Sequence, residues 1–289
     1  MTNTGIVAQF KELIHRVIDG IFRIIARTAT RGRLGWIWSS AVIEKSFLKN
    51  VDVSHNGISL TLCTPTELVG WRANTFSTKE PETLEWIDSF VPDSVVWDVG
   101  ANIGLYSLYA AKKRSCRVYS FEPSIFNLEL LGRNIWLNDL VDKITIIPIP
   151  LSSDIFEGNL NMSSMKWSGA LSTFGAEFGH DGNPLEKEFE FRTIGISMDQ
   201  VVDLLKIKPP RYLKIDVDGI EHLIIEGGAN VLSQVDQVLV EVNETFVMQL
   251  KKVSELLKSA GLTLMTKQHS RMMGNAKWST VYNQIWIRK

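Results

Sequence analysis

Between Phe10 and Arg27 the apolar residues return every three or four positions. Phe10, Leu13, Ile14, Val17, Ile18, Ile21, Phe22 and Ile25 share one face, with Lys11, Arg16, Arg23 and Arg27 elsewhere. That spacing predicts an amphipathic helix over 10–27. Arg31, Arg33, Trp36 and Trp38 follow it. Residues 50–65 alternate between apolar and polar around Asn56-Gly57, which predicts a hairpin. "STKEPETLEWIDSF" predicts a helix with Pro81 near its first turn.

From Ser94 onward the pattern switches to alternating strands and helices. Strands are predicted at 95–99, 117–121, 144–149, 189–196, 212–217, 238–242, 262–266 and 281–287. Helices are predicted at 103–111, 125–137, 198–205 with Ser197 as N-cap, 220–226, and 246–259 ending at Ala260-Gly261. A long polar, glycine-containing region over 152–188 reads as loop. Such alternation predicts an α/β fold, a mostly parallel sheet covered by helices on both faces. The expected organisation is a helical and hairpin extension over 1–70 followed by one α/β domain over 71–289.

Composition narrows the function class. A net charge of −1 opposes a nucleic-acid binder, which needs clustered Lys and Arg. The two cysteines, Cys63 and Cys116, have no metal-site or disulfide spacing. A reducing, cytoplasmic compartment is expected, and no signal peptide or membrane-spanning run is visible. The basic helix and its tryptophans suit either peripheral membrane contact through residues 10–38 or packing on the main domain or a second copy in a homo-oligomer.

Candidate chemistry begins at "VVWDVGANIGLYSLYAAK". An acid and two glycines stand where a buried strand meets a helix. Gly100 permits the turn and a close ligand approach, and Gly104 permits close packing of the helix. The spacing is D-x-G-x-x-x-G, without the middle glycine that a dinucleotide pyrophosphate needs. Asp98 adds negative charge there. This favours a cofactor with a positive centre and no phosphate, which S-adenosylmethionine (SAM) provides. The next strand ends in "VYSFEP", with Glu122 some 22 residues beyond Gly100, placed to take both ribose hydroxyls. At the third strand end, Leu151 and Ser152 are placed to border the adenine.

"KEPETLEWID", "VWDVGANIGLYSLYAAK", "VYSFEPSIFNLELLGRNIWLND", "LKIDVDGIEHLIIEGG" and "VLVEVNE" occur in an order that resembles the FkbM family of SAM-dependent methyltransferases, over roughly Lys79 to Glu244. Most members have Glu where this chain has Asp218. The resemblance implies a class I SAM-methyltransferase, Rossmann-like fold with seven strands, the last antiparallel. It implies O-methylation of hydroxyls on sugars, glycans, glycolipids or related small molecules. It maps Asp98, Gly100, Asn102 and Gly104 to a methionine-binding loop and Glu122 to the ribose, with Glu80 closing over the cofactor.

The acidic fourth and fifth strand ends would face the transferred methyl. Asp216, Glu221 and His222 are the catalytic candidates, with Asp216 or His222 as general base. The alternative is a hard cation such as Mg²⁺ held by Asp216 with Glu241 or Asn243. The segment "SSMKWSGALSTFG" is the expected acceptor loop, with Trp167 to stack on a sugar and Ser168 and Ser172 to bind hydroxyls. A nicotinamide-dependent oxidoreductase and a non-catalytic membrane-docking protein with a vestigial pocket remain rival classes.

Overall fold

The computed structural model describes residues 32–47, 49–269 and 279–289, together with positions 17 and 20. The helix expected over 10–27 lies outside the described residues apart from those two positions. The chain divides into two compact units, 1–49 and 50–289. In the first, Gly32–Ser46 forms helix α1, with Leu34, Trp36 and Trp38 exposed. Among the described residues no helix is long and apolar enough to cross a membrane.

The second unit opens with a hairpin, β1 (Asn50–His55) and β2 (Ile58–Cys63), turned by Asn56 and Gly57 at positive φ. Helices α2 (Glu67–Asn74), α3 (Phe76–Lys79) and α4 (Pro81–Asp88) follow. Then come β3 (Val95–Val99), α5 (Leu105–Arg114), β4 (Arg117–Phe121), α6 (Ile125–Leu137) and β5 (Ile144–Ile147). The middle of the chain supplies β6 (Phe156–Met162), β7 (Ser172–Phe174), β8 (Phe189–Gly195) and α7 (Met198–Leu205). The rest is β9 (Tyr212–Ile215), α8 (Glu221–Glu226), α9 (Ala229–Leu232), β10 (Gln237–Asn243), α10 (Val247–Ser259), β11 (Leu262–Gln268) and β12 (Val281–Arg288).

Seven strands form one sheet in the order β11-β12-β10-β9-β3-β4-β5. The pairs from β10 to β5 are parallel, and β12 runs antiparallel between β10 and β11. This is the class I arrangement that the resemblance implied. β3 and β9 are central and buried on both faces, so their residues are apolar except Asp98 and Lys214, which are register partners near the strand ends. One core on each face buries them. Trp97, Leu213 and Trp286 lie in one; Val96, Tyr212 and Leu239 lie in the other. The hairpin packs within this unit: Cys63 N–H donates to the buried Asn134 Oδ1 at 2.8 Å, and Asn134 Nδ2 donates to Ile103 O at 2.9 Å.

Local signals account for two of the helix ends. Ser197 and Gln200 form a complete capping box at α7, and Gly261 ends the turn after α10 at φ +81°. The region 152–188, read from sequence as loop, contains β6 and β7. These pair with β8 as a separate three-stranded antiparallel sheet, β7-β6-β8. Its pattern is masked because a polar residue occupies an inward position. Asn161 is buried, and its Nδ2 donates to Ala176 O at 2.7 Å.

Candidate functional site

The carboxyl ends of β3, β4 and β9 meet at the glycine turn. Gly100 adopts φ +85°, and a Cβ there would stand 1.9 Å from Asp216 O. The neighbouring strand therefore forbids any side chain at 100 before a ligand is considered. Gly104, at φ +88°, lies against α6: a Cβ would meet Leu131 Cδ1 at 2.5 Å. Helix α5 consequently begins at Leu105, two residues beyond the expected start.

Beside this turn lies a cavity of about 300 Å³. Its lining includes the apolar side chains of Phe121, Pro123, Ile149, Leu151, Leu160 and Phe174, which come with Glu122 from the ends of β4 and β5 and from β6 and β7, and the charged Arg72, Lys79, Asp216, Asp218 and Glu241. A smaller cavity of about 50 Å³ adjoins it, sharing Arg72, Lys79, Gly100, Asn102 and Asp216 and adding Tyr106 and Lys214.

Glu122 is buried, and both of its oxygens accept backbone donors: Oε2 from Asn102 N–H at 2.7 Å and Oε1 from Ser124 N–H at 2.8 Å. Burial still pushes its pKa up to about 7. The Asn127 side chain is a further hydrogen-bond partner, and the carboxyl still keeps accepting capacity for a ligand hydroxyl.

Lys214 is almost wholly buried. Its ammonium is 2.7 Å from Asp216 Oδ2, 4.0 Å from Asp98 Oδ1 and 5.1 Å from the Tyr106 ring centroid. Burial alone would lower its pKa, but Asp216, Asp98 and Glu80 outweigh that and hold it above the ordinary value. Asp98 accepts the Ser107 hydroxyl at 2.5 Å through Oδ2. Its Oδ1 is buried with no hydrogen-bond donor among the described residues, and burial raises its pKa. Burial would likewise raise Glu80, yet Lys79 at 2.5 Å and Lys214 hold it down to about 2. Tyr106 OH donates to Glu80 Oε2 at 2.8 Å.

The loop between β6 and β7 is pinned across the cavity. Ser168 Oγ donates to Asn102 Oδ1 at 2.8 Å, and Asn102 Nδ2 donates to Gly169 O at 2.9 Å. Arg72 Nε donates to Ser168 O at 3.1 Å. Leu171 N–H donates to Asp218 Oδ2 at 2.6 Å. Asp218 sits at φ +63°; burial, then the Asp216 charge, pushes its pKa up to about 6. The shorter acid at 218 thus has a visible task, anchoring the loop.

Of the residues proposed from sequence, Gly100, Asn102, Glu122, Ser172, Asp216 and Glu241 line the main cavity. Glu80, Asp98, Gly104 and Ser152 stand behind its wall; the Ser152 hydroxyl donates to Asp154 O at 2.5 Å. Ser168 is buried, with its hydroxyl turned to Asn102, and Trp167 lies off the lining. Glu221 is buried and turned back on its own chain, accepting from Val217 N–H and Gly219 N–H and from Gln249 Nε2. Burial pushes its pKa up to about 7. His222 is buried between Phe178 and Phe246, with ring centroids 6.3 and 5.9 Å away. Burial pushes it down to about 4. Neither Glu221 nor His222 joins Asp216 at the main cavity.

Of the residues named for Mg²⁺, Asp216 and Glu241 share the main cavity and Glu241 and Asn243 share a space of about 10 Å³. Asn243 Oδ1 accepts from Thr245 N–H and Oγ1, and Asp216 is paired with Lys214. Among the described residues no three His, Cys, Asp or Glu side chains are gathered to hold a metal ion. Among the described residues Glu241 has no hydrogen-bond partner, and burial followed by the Asp216 charge holds it well above the ordinary carboxylate range.

Sequence reasoning missed Arg72, Lys79 and Asn127 in the lining. Lys79 was within reach, since it directly precedes Glu80 in "KEP". Arg72 lies in an eight-residue helix whose pattern carries no sign of a site.

Comparison with known proteins bears on this geometry. The hexuronic acid methyltransferase AglP of Haloferax volcanii is 26 % identical over 193 residues, 67 % of this chain and 73 % of that protein. The methyltransferase sdnD of Sordaria araneosa is 40 % identical over 57 residues, 19 % of this chain and 22 % of its own. Among solved structures, M. jannaschii TYW2 in complex with AdoMet matches at 12 % identity with TM-score 0.44. That match covers 83 % of this chain and 87 % of the other. Precorrin-6y C5,15-methyltransferase from Geobacter metallireducens matches at 14 % identity with TM-score 0.42, over 73 % and 86 %. The family model described as the methyltransferase FkbM domain matches residues 98–263, which run from the acid of the glycine turn through all the strand ends that build the cavity. The chain belongs to the FkbM methyltransferase family.

Proposed function

We propose that this protein is a SAM-dependent O-methyltransferase whose acceptor is a hydroxyl on a sugar, glycan or glycolipid. The observation that carries the reading is Glu122. It is a buried carboxyl in the cavity wall, with both oxygens braced by backbone N–H groups and with accepting capacity left for a ligand hydroxyl. A ribose hydroxyl fits that arrangement, and the apolar part of the lining fits an adenine. The missing middle glycine and the acid at 98 disfavour a pyrophosphate cofactor.

SAM supplies an electrophilic methyl on a sulfonium. The chain's own part is placement and proton handling. Glu122 orients the nucleoside, and the Gly100 turn brings backbone to the ligand without a side chain in the way. Asp216 and Glu241, at the ends of adjacent strands, are acids of the cavity lining beside which an acceptor hydroxyl would sit. A sugar hydroxyl is a weak acid, so alignment supplies most of the rate and a carboxylate takes the proton. The relation to a hexuronic acid methyltransferase supports a sugar acceptor.

The test is incubation of purified protein with methyl-labelled SAM and fractionated glycans and glycolipids. The expected result is label in one carbohydrate fraction that survives mild alkali, as an ether does. Label released by alkali would place the methyl on a carboxyl group and overturn the hydroxyl assignment. No SAM binding by calorimetry would overturn the reading entirely.

A further inference from the structure

Three cations line the smaller cavity beside the glycine turn: Arg72, Lys79 and Lys214. Two of them have a carboxylate. Lys79 is 2.5 Å from Glu80 Oε1, and Lys214 is 2.7 Å from Asp216 Oδ2. Arg72 differs. Its Nε donates to the Ser168 carbonyl; among the described residues its two terminal nitrogens have no hydrogen bond and no ion pair. A guanidinium presents five N–H donors in a planar fork, and only one is used here. The bond to Ser168 fixes the plane of the fork. Arg72 also lines the main cavity, so the residue is common to both spaces. Trp71, its neighbour in α2, lines the same space and is half-exposed.

Asp218, in the same lining, feels the Arg72 charge but makes no ion pair with it, and a guanidinium edge without a contact carboxylate matches the bidentate geometry of a ligand carboxylate. We propose that Arg72 is a ligand-carboxylate site common to the two cavities, an inference that rests on the SAM reading above. Two ligands of that reading carry the group. One is the amino-acid tail of the cofactor, reaching the smaller cavity past the glycine turn. The other is an acidic sugar acceptor in the main cavity, with Trp71 as a platform for its ring.

Calorimetry on the full chain and on Arg72→Gln and Arg72→Lys separates these. The first ligand pair is S-adenosylhomocysteine and 5′-methylthioadenosine, which share the adenosine but differ in the amino-acid tail. The second pair is D-glucuronate and D-glucose, titrated with S-adenosylhomocysteine at saturation. For one pair, Arg72→Gln lowers affinity for the carboxylate-bearing member about 10- to 150-fold, the range for a lost charge-assisted pair. The carboxylate-free member is unchanged, which shows that the cavity is still formed. Arg72→Lys, keeping the charge without the fork, falls between. Loss confined to S-adenosylhomocysteine assigns the cofactor tail, and loss confined to glucuronate assigns the acceptor. Unchanged affinities in both pairs overturn the inference and leave the cofactor reading standing. Wild-type protein that binds neither nucleoside overturns both.

Discussion

Replacing Glu122 by Gln isolates the group that carries the functional reading. In the wild type both carboxylate oxygens accept: Oε2 from Asn102 N–H and Oε1 from Ser124 N–H. Glutamine has one acceptor oxygen, so its amide group must face one of those two backbone donors, and it has no charge. A charge-assisted hydrogen bond is worth about 1.5–3 kcal/mol. Loss of one toward a ribose hydroxyl therefore weakens SAM binding about 10- to 150-fold. The pH dependence adds a second signature. The Glu122 pKa stands at about 7 in the free protein, and donors from a ribose favour the ionised form. Binding then releases a proton. At pH 6 about one molecule in eleven is ionised and at pH 8 about ten in eleven, so wild-type affinity falls about tenfold on going from pH 8 to pH 6. The Gln variant loses that slope. Calorimetric titration of SAM at pH 6, 7 and 8 on both proteins reads both effects. Equal affinities for the two proteins, with no slope in the wild type, would remove Glu122 from the cofactor site.

The same burial makes the free protein less stable in base. Glu122 and Glu221 rise to about 7 and Asp218 to about 6, so the native state holds protons that the unfolded chain releases. Stability from such groups is full below their unfolded pKa values and is lost as pH climbs through 6–7, whereas Glu80, held at about 2, changes nothing in that window. A rise from 4.5 to about 7 corresponds to roughly 3 kcal/mol for one carboxyl. Ligand-free protein should melt several degrees lower at pH 8 than at pH 5.5; a higher melting temperature at pH 8 contradicts the assignment. Gly100→Ala places a methyl 1.9 Å from Asp216 O at φ +85° and should cost about 3 kcal/mol or more in urea unfolding; a cost under about 1 kcal/mol would show that the strand ends are further apart than described. Asp216→Asn should reduce methyl transfer to the accepting fraction about 100-fold or more while SAM affinity stays within about threefold. Undiminished transfer would exclude Asp216 from the chemistry.

Much of the sheet was legible because its signal is local. Val95–Val99, Arg117–Phe121 and Tyr212–Ile215 are short apolar runs, each followed by a helical period, and that alternation has few three-dimensional solutions. The glycine turn and Glu122 were legible for the same reason, since strand and helix lengths fix the distance between successive strand ends. Strand β6 was not, because the polar residue at 161 faces inward and finds its partner at Ala176, beyond the window in which periodicity is judged.

The site was less legible than the sheet, and the reason is the separation of its partners. Asn102 was placed at the methionine-binding loop by resemblance, but its bond to Ser168, 66 positions away, has no local signal, and neither has the bond that Arg72 makes to the same residue from 96 positions away. Glu221 and His222 show the converse separation. They stand close to Asp216 in sequence, and a run of acids after a strand looks like one site. Yet the six-residue helix α8 turns them apart: Glu221 folds back over the N–H groups of Val217 and Gly219, and His222 enters an aromatic cluster. Adjacency along the chain fixes which strand end a residue belongs to. Which side of that end it faces is decided by packing against Phe178, Phe246 and Gln249, and those contacts come from parts of the chain that no local pattern connects.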